Sequence, residues 1–117
     1  MRVEAIEARA PLAARRGHAG QLEAALLALA HGQGRVVEHR ERSWASITFA
    51  GTRHRLRIAF DTPEAIEAGE ALIAALPDHE FALPGRLVAD ATVGAVDHVA
   101  QPPCLTVTCE LLLLEDG

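Results

Sequence analysis

The chain contains no lysine and no tyrosine, and its aromatic residues amount to one tryptophan and three phenylalanines. Without lysine there is no amine for a Schiff base and no Walker-type phosphate lysine. Without tyrosine there is no phenolic general acid. Every one of the eleven basic side chains is arginine, a usage that a GC-rich genome explains and that carries no functional weight. No apolar run approaches the roughly 20 residues of a membrane helix. The opening "MRVEAIEARAPLAARRG" places glutamates where a secretory signal would carry an unbroken apolar stretch. The expectation is a protein that begins near Met1, stays off the membrane and resides in the cytoplasm.

Half of the 117 residues are apolar, which excludes a disordered chain. The length suits one domain, residues 1–117, able to bury about two thirds of its unfolded surface. Sixteen carboxylates against eleven arginines give a net charge of −5, which argues against a general attraction to nucleic acid or anionic membrane. A local basic patch remains compatible with that balance.

Short turn signals divide the chain into periodic segments, with no repeat and no linker. "QLEAALLALAHG" spaces Leu22, Leu26 and Leu29 for a helix from about Gly20 to His31, ended by Gly32 and Gly34. "RVVEHRERSWASITFA" is strand-like, with an interruption near Glu41 to Ser43. "DTPEAIEAGEALIAAL" begins a second helix, with Asp61 or Thr62 as N-cap and Pro63 in the first turn. Ile66, Gly69, Ile73 and Leu76 share one of its faces, and its glutamates form a solvated stripe. "RLVADATVGAV" and "CLTVTCELLLLED" are two further strands, separated by paired prolines. The first dozen residues lean to strand over helix.

The order β-α-β-β-α-β-β is that of a ferredoxin-like α+β sandwich with an additional C-terminal strand, its antiparallel sheet carrying two helices on one face. In "RHRLRIAF", Arg53, Arg55 and Arg57 alternate with His54, Leu56, Ile58 and Phe60. A type II′ turn at Gly51 and Thr52 would set Phe49 opposite His54 and Ile47 opposite Leu56. That register predicts a core of Ile47, Phe49, Leu56, Ile58 and Phe60 against Ile66, Ile73, Leu105, Val107 and Leu111. It also predicts an outer face of Trp44 and the three arginines. The last hairpin sorts Leu87, Ala89, Ala91, Val93 and Ala95 inward, and Asp90 and Glu110 outward.

The outer face is the best candidate for binding. Trp44, Arg53, Arg55 and Arg57 beside Asp90 and Glu110 suit a homodimer contact, because mixed charge complements itself across a two-fold axis. Pairing within one protomer and stacking of RNA bases are the competing readings, and the acid content disfavours nucleic acid. "PDHEFALPG" offers His79 between Asp78 and Glu80 as an acid or base, and His54 and His98 are the other histidine candidates. His79 and His98 lie near opposite ends of one strand, ~30 Å apart. Cys104 and Cys109 lie ~16 Å apart on opposite faces and read as structural thiols. No metal ligand set, cofactor motif or nucleophile elbow is present. The chain reads as a homo-oligomeric module that binds protein or a small ligand, with a dimeric α+β enzyme using a histidine acid or base as the alternative.

Overall fold

The computed structural model describes residues 19–115; the opening dozen residues, expected as a strand, lie outside them. The described elements are α1 (Gln21–Leu29), β1 (Arg35–Ala45), β2 (Ala50–Phe60), α2 (Pro63–Ala75) with a 3₁₀ turn at Leu76–Asp78, β3 (Arg86–Val99) and β4 (Cys104–Glu115). No described helix is long and apolar enough to cross a membrane.

Local chemistry explains the helix ends. At the start of α2, the Thr62 hydroxyl accepts from the Ala65 N–H at 3.0 Å, and Pro63 occupies the first turn, so one orphan donor is satisfied and another is absent. At the end of α1, His31 takes the left-handed conformation at φ 55°. The Gly32 N–H reaches the Leu27 carbonyl at 2.8 Å and the His31 N–H reaches that of Ala28 at 3.1 Å, the two bonds of a Schellman closure. The expected glycine stop is therefore made one residue early, on a histidine.

The four strands form one antiparallel sheet in the order β1-β2-β4-β3. The α+β class and the antiparallel sheet follow the expectation, and the strand order departs from the ferredoxin-like one. In that arrangement the inner neighbour of β2 would be a strand preceding α1; here β4 takes the place. Leu56, Ile58 and Phe60 of β2 and Leu105, Val107, Cys109, Leu111 and Leu113 of β4 pack against Leu22 and Leu26 of α1 and Ala65, Ala68 and Leu72 of α2. Period-two and period-3.6 apolar faces thus bury one another on one side of the sheet. Ile66 and Ile73 sit at the margin of that core, half-buried, because the contact face of α2 is centred on Ala65, Ala68, Gly69 and Leu72.

The first hairpin differs from its expected register. Its turn lies at residues 46–49, where the Ser46 hydroxyl accepts from the Phe49 N–H at 3.0 Å and the Thr48 N–H at 3.3 Å. The Ser46 N–H also donates to the Phe49 carbonyl at 2.8 Å. Gly51, expected in the turn, lies inside β2 opposite Leu114, where a β-carbon would collide with the Leu113 carbonyl. It serves close strand approach, not reversal. Consequently Ile47 is 106% exposed and Phe49 53% exposed, and neither belongs to the core. Glu41, not Phe49, stands opposite His54, a displacement of eight residues. Because eight is even, Trp44 keeps the outward face it was expected to have.

Bulges set the remaining parity. The extra residue between Val36 and Glu38 lets Val36 and His39 both face the helices, while Glu38, Arg40, Arg42 and Trp44 face outward. The strand then runs unbroken through Glu41 to Ser43, where an interruption was expected. In β3, irregularities at Val88/Asp90 and Val93/Ala95 turn Val88, Ala91 and Val93 inward. Leu87 and Ala95, expected inside, turn outward opposite Leu114 and Thr108. Both edge strands carry bulges, which blunt edge-to-edge pairing.

Candidate functional site

Two constellations lie on opposite faces of the same stretch of sheet. On the open face, antiparallel pairing puts Arg42 directly opposite Arg53, and Arg40 directly opposite Arg55. Like charges so placed destabilise a sheet unless something compensates them. Glu38 compensates part of the row: it pairs with Arg40 and lies 3.5 Å from Arg57. The Arg40 hydrogen bond, with Arg57 adding to it, holds the Glu38 carboxyl below its ordinary range. Glu110 lies 3.8 Å from Arg55. Arg42 and Arg53 have no carboxylate partner among the described residues. A groove of about 430 Å³ runs along Arg40, Arg42, Arg53, Arg55 and Glu110, with Glu41, His54 and Leu111 also in its lining.

Read across the sheet, this face falls into rows. One holds Trp44, Gly51, Leu114 and Leu87; the next Arg42, Arg53, Leu112 and Asp90; the third Arg40, Arg55, Glu110 and Thr92. The β1–β2 half is basic and the β4–β3 half acidic. Trp44 is half-buried and Leu87 is 59% exposed, at opposite edges of one row. The structure therefore brings the sequence-predicted residues Trp44, Arg53, Arg55, Arg57, Asp90 and Glu110 onto one face.

On the helical side, His54 is the one candidate histidine that is buried, at 6% exposure. Its Nδ1 lies 2.9 Å from His39 Nε2, and His39 Nδ1 lies 2.7 Å from Glu23 Oε2 on α1. The Glu23 carboxylate can only accept there, so His39 carries a proton on Nδ1, and a single proton bridges His39 Nε2 and His54 Nδ1. Burial, with smaller contributions from the charges of His39 and Arg86, pushes His54 down to about 4, so its ring is neutral near pH 7. Glu41 completes the group: one ligand atom from each of His39, Glu41 and His54 lies within 4.8 Å of the others. A small cavity of about 120 Å³ adjoins it, lined by residues that include Gln21, Thr52, His54 and Arg86.

His79 and His98 join neither constellation. His79 is exposed, its ring edge-on to Phe81 at 4.5 Å, and His98 is an exposed edge-strand residue opposite Leu105. Cys109 is buried in the core and its thiol is pushed up to about 11 by that burial; Cys104 is half-buried, and both are free. Sequence reasoning missed His39, Glu41 and Glu23. The available signal was His-x-Glu on a strand, whose alternate residues share a face, but the displaced turn set Phe49 where Glu41 stands.

The chain matches no protein-family description and no curated protein. Among solved structures it is similar to a chain of the "Virion of native gene transfer agent (GTA) particle", with a TM-score of 0.50 and 16% sequence identity, over 85% of this chain and 91% of that chain. At that identity the likeness shows a shared fold alone. Fold and site together define a small antiparallel α+β module in which both described helices lie on one face of the sheet.

Proposed function

We propose that the chain is a non-catalytic module that self-associates through the open face of its sheet. The observation that carries this reading is the inversion of the surface pattern across the sheet midline. A two-fold axis parallel to the strands stacks two such faces and maps each β1–β2 half onto the partner's β4–β3 half. Within each row, Arg42 then meets the partner's Asp90, Arg55 the partner's Glu110, and Trp44 the partner's Leu87. An axis across the strands would instead set arginine on arginine. Isologous contacts of this kind are self-complementary by symmetry, and an aromatic residue with arginines at their centre is the composition of interface cores.

The rival reading, a small-molecule enzyme using His54 as acid or base, has less support. The cavity of about 120 Å³ that adjoins His54 on the helical side falls well below the roughly 300–1,000 Å³ of ordinary ligand pockets, and the groove of about 430 Å³ that His54 also lines is walled by four arginines. Light scattering across a concentration series tests the dimer. Arg42→Glu and Asp90→Arg should each shift the equilibrium to monomer, and the combined swap should restore dimer, since each opposed pair regains unlike charges. A wild-type chain that stays monomeric at high concentration refutes the reading. Salt-sensitive RNA binding abolished by Arg42→Glu would assign the face to nucleic acid instead.

A further inference from the structure

We propose that His39, Glu41 and His54 form a binding site for a divalent transition-metal ion of zinc type. The three residues converge from paired strands: Glu41 stands opposite His54, and His39 shares their face two residues away on β1. Two imidazole nitrogens with one carboxylate make a donor set suited to zinc, cobalt or nickel, whereas magnesium and calcium prefer all-oxygen shells. Three protein ligands also leave positions open for water, and the adjoining cavity of about 120 Å³ has room for several such molecules.

Distances support the placement. Ligand nitrogens at about 2.0–2.1 Å from a tetrahedral ion lie about 3.3 Å from each other. His39 Nε2 and His54 Nδ1 stand 2.9 Å apart, joined by a hydrogen bond, so the rings need to part by only a few tenths of an ångström. In the ion-free state one proton bridges the two nitrogens, and a bound ion displaces it to the far nitrogen of His54 or to water.

Glu23 is the second independent observation. Its carboxylate holds His39 Nδ1 at 2.7 Å, which fixes the ring's orientation and leaves Nε2 to face His54, the role an outer carboxylate plays toward a metal-ligating histidine. Charge is compatible as well. The Arg86 guanidinium is near enough to act on His54 and opposes a cation, but the carboxylates of Glu41 and Glu23 outnumber it. The bulge at Val37 gives the arrangement its geometry: without it, His39 and Glu41 would face the open side.

The test uses the full chain, stripped with a chelator and titrated with Co²⁺ followed by visible absorption, then with Zn²⁺ in competition. One ion per chain is expected. Glu23→Gln should retain that stoichiometry and weaken binding about 10- to 100-fold. Glu41→Gln, at an exposed position that need not disturb folding, should weaken it further and change the Co²⁺ spectrum, as should His39→Gln. His79→Ala and His98→Ala should bind as wild type does. Absence of one-to-one binding in the wild type overturns the proposal. So does wild-type affinity in Glu41→Gln and His39→Gln, or loss of binding in the His79 and His98 variants.

Discussion

Phe60 and Gly69 form a pair whose energetics can be worked from the packing. The Phe60 ring is 0% exposed and lies against two glycines, Gly34 before β1 and Gly69 in the middle of α2. A β-carbon added at Gly69 would come 2.7 Å from the ring and 2.9 Å from Leu105, and one at Gly34 would collide with the ring outright. Removing the ring by Phe60→Ala opens a cavity bordered by residues with no side chain to fill it, so the cost should be about 3–5 kcal/mol. Gly69→Ala in the wild type sets a helix-propensity gain of about 1 kcal/mol against about 1–3 kcal/mol for overpacking a rigid ring. The result should be neutral to destabilising by about 2 kcal/mol. In the Phe60→Ala background the ring contacts are gone and the Leu105 side chain, still 2.9 Å from the new methyl, can give way into the vacated space, so the same substitution should stabilise by up to about 1 kcal/mol. The cycle therefore predicts a coupling of about 1–3 kcal/mol, read from urea midpoints at matched slopes. Should Phe60→Ala fail to fold, Phe60→Leu supplies a milder background with the same expected sign. If Gly69→Ala raised the midpoint equally in both backgrounds, the ring would not rest against α2 and the helix-on-sheet packing described above would be wrong.

Three other outcomes follow from burial and register. Ile47→Ala should change stability by no more than about 0.5 kcal/mol, because the side chain sits on the exposed turn; a loss of about 2 kcal/mol or more in the same denaturation assay would restore the register with Gly51 in the turn. In native protein at pH 8, Cys104 should react with a thiol reagent while Cys109 reacts only after unfolding. Because Cys109 is raised to about 11 from an ordinary 9.0, the folded state retains its proton longer than the unfolded chain does. Its contribution to stability is complete below about pH 9 and is lost as pH rises toward 11. A Cys109→Ala variant should show a flatter stability profile across that window, and an identical slope would place the thiol in water.

The face of each residue proved more legible than its partner. Alternation in "RHRLRIAF" follows from the pleat, a local property with a period of two, so Arg53, Arg55 and Arg57 turn outward whatever strand lies beside them. Trp44 joined them although the expected pairing was displaced by eight residues, since an even shift preserves sides. In β3 the same reasoning misplaced Leu87 and Ala95, because bulges at Val88/Asp90 and Val93/Ala95 reverse the alternation and nothing in the local pattern announces them. The α2 N-cap was legible for the opposite reason: Thr62 and Pro63 act within one turn, where sequence neighbours are spatial neighbours.

The sequence by itself determined the start of α2, the apolar faces of β2 and β4, the outward arginines and the class of fold, because each depends on contacts between residues a few positions apart. Only the tertiary structure decided where the first hairpin turns and which strand lies beside β2. The reason is Gly51, whose missing side chain is needed for the approach of β4, a strand more than fifty residues later in the chain. That long-range pairing pushed the turn back onto Ser46 and carried Glu41 to His54. With the bulge at Val37 and the reach of Glu23 from α1, it assembled a group of side chains of which only His39 and Glu41 are neighbours in sequence and which meet because three separate elements pack together.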